Sequence, residues 1–87
     1  MKYRSRTDII AQILESANGG ATKTKITYRA FISYAQLVEY LVLMTSNGLL
    51  QHDATTQTFK TTEKGLRFSK IYNQIGKLVL PVNEIEE

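Results

Sequence analysis

The segment from Ile26 to Leu50 constrains the fold more than any other part of the chain. It reads as the end of a short helix, a tight turn and a longer helix closed by a glycine stop. Ser33 and Gln36 have the spacing of a capping box, in which each side chain meets the other residue's backbone amide. Leu37, Leu41 and Met44 follow at i, i+4 and i+7, with Val38 and Thr45 beside them, so they form one apolar face. Ala35, Gln36, Glu39, Val42, Leu43 and Ser46 fall on the opposite face. Asn47-Gly48 ends the helix, because glycine accepts the left-handed conformation there. Phe31 and Ile32 form the turn, and their apolar character predicts that they tuck inward.

The flanking sequence adds further elements. Ser5 or Thr7 caps a first helix, with Asp8 in its first turn and Ile9, Ile10, Ile13, Leu14 and Ala17 as its apolar stripe. Asn18-Gly19-Gly20 ends it, and Thr22 or Thr24 opens the short second helix, which reaches about Ala30. After Gly48, residues 49–52 and 58–61 read as two strands around the polar turn 53–57. Such a hairpin is marginal alone and needs helices to pack on. Thr61 or Thr62 caps a last helix, in which Phe68, Tyr72, Ile75 and Val79 recur at 4-3-4 spacing, widened by Ile71 and Leu78. Pro81 stops it, and an acidic, frayed tail is expected over 81–87.

Composition narrows the function classes. Eighty-seven residues make one small domain, for which oligomerisation is a common source of extra stability. The absence of cysteine removes disulfides and thiolate metal sites, and no apolar run approaches a membrane span. The first six residues lack the apolar stretch of a signal peptide, so a cytoplasmic protein is expected. The net charge of +3 is unevenly spread. Lys2, Arg4, Arg6, Lys23, Lys25 and Arg29 oppose only Asp8 and Glu15 before residue 35, whereas residues 35–59 carry only Glu39 and Asp53. There is no glycine-rich phosphate loop, no Gly-x-Ser-x-Gly and no paired carboxylates in a plausible cleft. His52 beside Asp53 lacks a clustered partner and reads as a surface strand residue. A binding module is expected, not an enzyme, with no metal and no cofactor.

Two helices across a short turn form the unit that lays its second helix in the DNA major groove. Three helices, a two-stranded hairpin and a further helix give the winged-helix order. The residues that carry this are Arg6 to Glu15, Gly20 to Ile26, Ser33 to Leu41, Asn47-Gly-Leu-Leu50 and Thr62-Glu-Lys-Gly65, in that order. Over roughly residues 4–80 the chain resembles the small archaeal winged helix-turn-helix proteins. That group includes transcriptional regulators and dimeric chromatin-associated proteins with a C-terminal coiled-coil helix. The resemblance implies an α+β, mostly helical fold, with a winged-helix DNA-binding domain over 1–61 and a dimerisation helix over 62–80. It implies that helix 33–46 is the recognition helix and that the last helix pairs two subunits through Phe68, Ile71, Tyr72, Ile75, Leu78 and Val79. Double-stranded DNA is the implied partner, in a nucleoid-associated setting.

One departure stands out: the outward face of helix 33–46 has no Lys or Arg. Gln36 is the direct-readout candidate there, and Ser33 and Tyr34 can reach bases or phosphates. Phosphate contacts fall to Lys23, Lys25 and Arg29, with Lys60 near the hairpin. Each has a structural alternative. Gln36 can serve only as the cap partner of Ser33, the three cations can be solvated helix residues, and the phase of Tyr34 places it near Leu37 and Leu41 as a partly buried core tyrosine. Val42 and Leu43 can pack on the hairpin or face a partner. The 68–79 stripe can close the chain's own core or meet a second subunit.

Overall fold

The computed structural model describes residues 4–78. Its elements run α1 (Arg6–Ser16), α2 (Lys23–Ala30), α3 (Tyr34–Ser46), β1 (Leu50–Asp53), β2 (Thr58–Thr61) and α4 (Glu63–Leu78). Hydroxyl side chains set the helix starts, because each satisfies an amide that has no partner inside the helix. Ser5 accepts from the Asp8 amide at 3.1 Å and Asp8 accepts from the Ser5 amide at 3.0 Å. Thr22 accepts from the Lys25 amide at 3.2 Å. The Ser33–Gln36 capping box forms as expected, with both bonds at 3.1 Å. Thr62 accepts from the Gly65 amide at 3.1 Å.

The apolar stripes of the first three helices converge on one core. Ile13, Leu14, Ile26, Leu37 and Met44 are its largest fully buried side chains. Each gains about 1.5–3 kcal/mol by leaving water. Gly48, at φ 75°, turns the chain out of α3, and Leu49 is buried with its amide bonded to the Met44 carbonyl at 2.8 Å. The first strand therefore begins at Leu50, one residue later than expected.

β1 and β2 pair antiparallel, with Leu50 opposite Thr61 and His52 opposite Phe59. The turn is held by Asp53, whose Oδ1 accepts from the Thr55 amide at 2.9 Å. On its other edge β2 pairs with a single residue that the sequence reading did not assign. Ala21 and Phe59 exchange two backbone hydrogen bonds of 2.9 and 2.8 Å, which ties the α1–α2 link to the hairpin. Thr61 is buried, and its Oγ1 donates to the Leu14 carbonyl at 2.6 Å, satisfying an acceptor in the last turn of α1.

One expectation for the turn fails. Phe31 does not tuck inward: it ends α2 in the left-handed conformation (φ 55°, ψ 51°) and is 80% exposed, while only Ile32 is buried. The left-handed step turns the Phe31 side chain away from the core and the next one into it. The 4-3-4 stripe of α4 also divides. Phe68 packs against the chain's own core, and the Tyr72 hydroxyl donates to Asp8 on α1, whereas Ile71, Ile75 and Leu78 face solvent. Val79, Pro81 and the acidic tail lie outside the described residues.

Candidate nucleic-acid interface

The first turn of α2 carries Lys23 and Lys25, and the helix contains no acidic residue. Cations there oppose the helix dipole, which favours negative charge at this end by about 0.3–1 kcal/mol per group. Helix stability therefore does not explain the two lysines, and the turn is suited to an anion. The Lys23 ammonium lies 6.0 Å from the centre of the Tyr34 ring, at the limit of a cation–π contact. Tyr34 is 60% exposed, so the partly buried core position expected for it is not found. As the first residue of α3, it lies on the flank of the helix beyond the buried stripe.

Lys23 also borders a shallow groove of about 500 Å³ between α3 and the hairpin, lined by Val38, Leu41, Val42, Thr45, Leu50, Gln51, His52 and Phe59. His52 stacks on Phe59 with ring centres 4.5 Å apart. Lys60 is exposed and pairs across the hairpin with Gln51. Of the two α3 residues left open, Leu43 packs partly on the core and Val42 is 62% exposed. Ala35, Gln36, Val38, Glu39 and Ser46 make up the rest of the solvent face.

The other expected residues are placed differently. Arg29 lines a separate depression with Gln12, Glu15, Ser16 and Phe31, on the α1 side of α2. The structure thus groups Lys23 with α3 and the hairpin, and Arg29 with α1. Gln36 and Tyr34 project from opposite flanks of α3, about 200° apart around the axis. The Gln36 side-chain oxygen accepts from the Ser33 amide, and Ser33 Oγ accepts in return, so both are engaged in the cap. Two further cations act within the fold. Arg4 donates to the Ala30 and Phe31 carbonyls at 2.5 and 2.6 Å, and also to the Gln12 side chain. Arg6 lies 5.6 Å from the Tyr40 ring centre. Both contacts join residues far apart in the chain, and the sequence carries no local signal for them.

One titrating pair ties α4 to α1. The Tyr72 hydroxyl, and next the Ser5 amide, hold the Asp8 carboxyl below its usual range, and the same bond raises Tyr72. Among the described residues, no His, Cys, Asp or Glu group is arranged to hold a metal ion, and no helix is long and apolar enough to cross a membrane.

The fold has a close counterpart among solved structures. Sso10a-2, described as a DNA-binding protein from Sulfolobus solfataricus, superposes with a TM-score of 0.80 over 86% of this chain and 81% of that one, at 23% sequence identity. No curated protein sequence matches the chain. The winged helix-turn-helix family matches residues 3–79, which takes in every helix and strand described above. The chain belongs to the winged helix-turn-helix family.

Proposed function

We propose that this protein binds double-stranded DNA, with α3 in the major groove and the β1–β2 hairpin beside it as the wing. The observation that carries this reading is Lys23, in the first turn of α2, at the border of the groove between a largely exposed α3 and the hairpin. In this reading Lys23, Lys25 and Lys60 meet phosphates, and Ser33 and Tyr34 contact the backbone at the N-terminus of α3. Arg29 adds charge from the side, and Gln36 keeps one free amide group for a base while its oxygen caps the helix. The description of Sso10a-2 as a DNA-binding protein supports the assignment.

The proposal extends to a homodimer. Residues 1–61 form the DNA-binding unit and 62–80 the pairing helix, with Ile71, Ile75, Leu78 and Val79 as the seam and Phe68 and Tyr72 at its margin. Its support is the row of exposed apolar residues on α4, of which Leu78 is 83% exposed. Two units on a dimer would address half-sites about 34 Å apart. The role is a transcriptional regulator, or alternatively a nucleoid-associated architectural protein. Sedimentation at micromolar concentration is expected to give twice the chain mass, and a monomer alone would reject the pairing.

A second reading draws on Val38, Glu39 and Val42, which suit a protein partner. The Lys23→Ala, Lys25→Ala double variant separates the two. Under the DNA reading it loses affinity for every duplex alike, since phosphate contacts carry no sequence information. Unchanged DNA affinity, or partners retained after nuclease treatment, would favour the protein module.

A further inference from the structure

We infer that α3 reads DNA chiefly through thymine methyl groups, with hydrogen bonds to base edges in the minor part. The inference rests on the DNA-binding reading and names what its central helix recognises. Ala35, Val38 and Val42 stand at i, i+3 and i+7, so they form one stripe, and all three are exposed. The stripe spans about 10 Å along the helix, or roughly three base steps of 3.4 Å.

Each base edge in the major groove offers donors and acceptors, and thymine alone adds an apolar group, its C5-methyl. A hydrocarbon stripe gains nothing from donors and acceptors and would leave them unpaired. Against methyl groups it removes apolar surface from water on both sides. The usual polar readers are missing or occupied: the exposed face has no Lys, Arg or Asn, and the Gln36 oxygen is held by the Ser33 amide. Glu39 lies within the stripe as an acceptor for the amino group of adenine or cytosine. Its charge also keeps the helix centre off the phosphates, which leaves them to Lys23 beside the same groove. That charge pattern, with cations at the border and hydrocarbon in the middle, fits the floor and walls of a major groove. The recognised DNA is therefore a short A·T-rich segment with successive thymines.

The test compares duplexes of one A·T-rich sequence carrying thymine or uracil, which keep the same hydrogen-bonding edges and differ by the methyl. A loss of about four-fold is expected for each contacted methyl removed, from the value of one buried methylene. Val42→Ala changes an exposed residue, so the fold is kept, and it should shrink the ratio of thymine-duplex to uracil-duplex affinity. Equal affinity for the two duplexes overturns the inference and leaves DNA binding intact. A difference that persists unchanged in the Val38→Ala, Val42→Ala double variant also overturns it, since the methyl would then act through duplex stiffness. Failure to bind either duplex overturns the underlying DNA-binding reading instead.

Discussion

Gly65→Ala tests the packing account where two rules give opposite signs. Gly65 lies in the first turn of α4, and helix propensity alone favours alanine by up to about 1 kcal/mol, less in a first turn. The surroundings forbid it. An added Cβ would lie 2.5 Å from the Leu49 carbonyl oxygen, 2.7 Å from Thr61 Cγ2 and 3.0 Å from Leu14 Cδ2. The nearest atom is backbone, fixed because the Leu49 carbonyl also accepts from the Thr62 amide at 3.0 Å. Thr61 is held by its own bond to Leu14. Relief requires α4 to move off the body, and overpacking of this kind costs about 1–3 kcal/mol. The propensity gain offsets only part of that, so a net loss of about 1–2 kcal/mol is expected. For a domain this size it corresponds to a fall in Tm of roughly 5–15 °C. Gly76→Ala is the internal control. Nothing lies within 4 Å of its Cβ, so propensity acts alone and stability should rise by about 0.5 kcal/mol. Thermal and denaturant unfolding, both at one fixed protein concentration, measure the two. A Gly65→Ala protein as stable as its parent would refute the close approach of α4 to the hairpin and α1.

Other outcomes follow from single contacts. Tyr72→Phe removes the bond to Asp8 and should cost roughly 1 kcal/mol at neutral pH by denaturant titration. Because that bond lowers the folded-state pKa of Asp8, its stabilisation is complete above the unfolded value of about 4 and is lost as pH falls below it. The difference between wild type and Tyr72→Phe should therefore narrow below about pH 4, and a constant gap would contradict the assignment. Thr61→Val keeps the shape but leaves the Leu14 carbonyl unpaired, so a loss of about 1–3 kcal/mol is expected in the same assay. Phe31→Gly should stabilise by about 0.5–1 kcal/mol, because it relieves a left-handed residue whose ring is exposed. A destabilised Phe31→Gly would mean that the ring makes a packing contact after all.

The sequence was most legible where local chemistry decides structure. Ser33 with Gln36, the glycine after α3 and the polar turn between the two short strands each depend on neighbours within a few residues, and each element formed. Long-range contacts were not legible. Ala21 joins the sheet as one residue without a periodic pattern, and Arg4 closes α2 from a position 26 residues away. The α4 heptad was seen, but spacing cannot say whether a stripe faces its own core or another chain. The structure turns Phe68 and Tyr72 to the first and leaves Ile71 and Ile75 outside. Charge was legible as a total and not as a surface. Among the described basic residues near the N-terminus, Arg4 and Arg6 act within the fold, Arg29 sits on the α1 side, and Lys23 borders the α3–hairpin groove.

The central claim is that Lys23 beside an exposed α3, with Lys25 and Lys60, holds duplex DNA, and the salt dependence of duplex affinity tests it most directly. If Lys23, Lys25 and Lys60 of two subunits each neutralise one phosphate, log K should fall with log salt at a slope of about −5. Lys25→Ala, which removes one contact per subunit, should reduce the steepness by about 2. Affinity that does not change between low and physiological salt, or no duplex binding at low salt, would contradict the account.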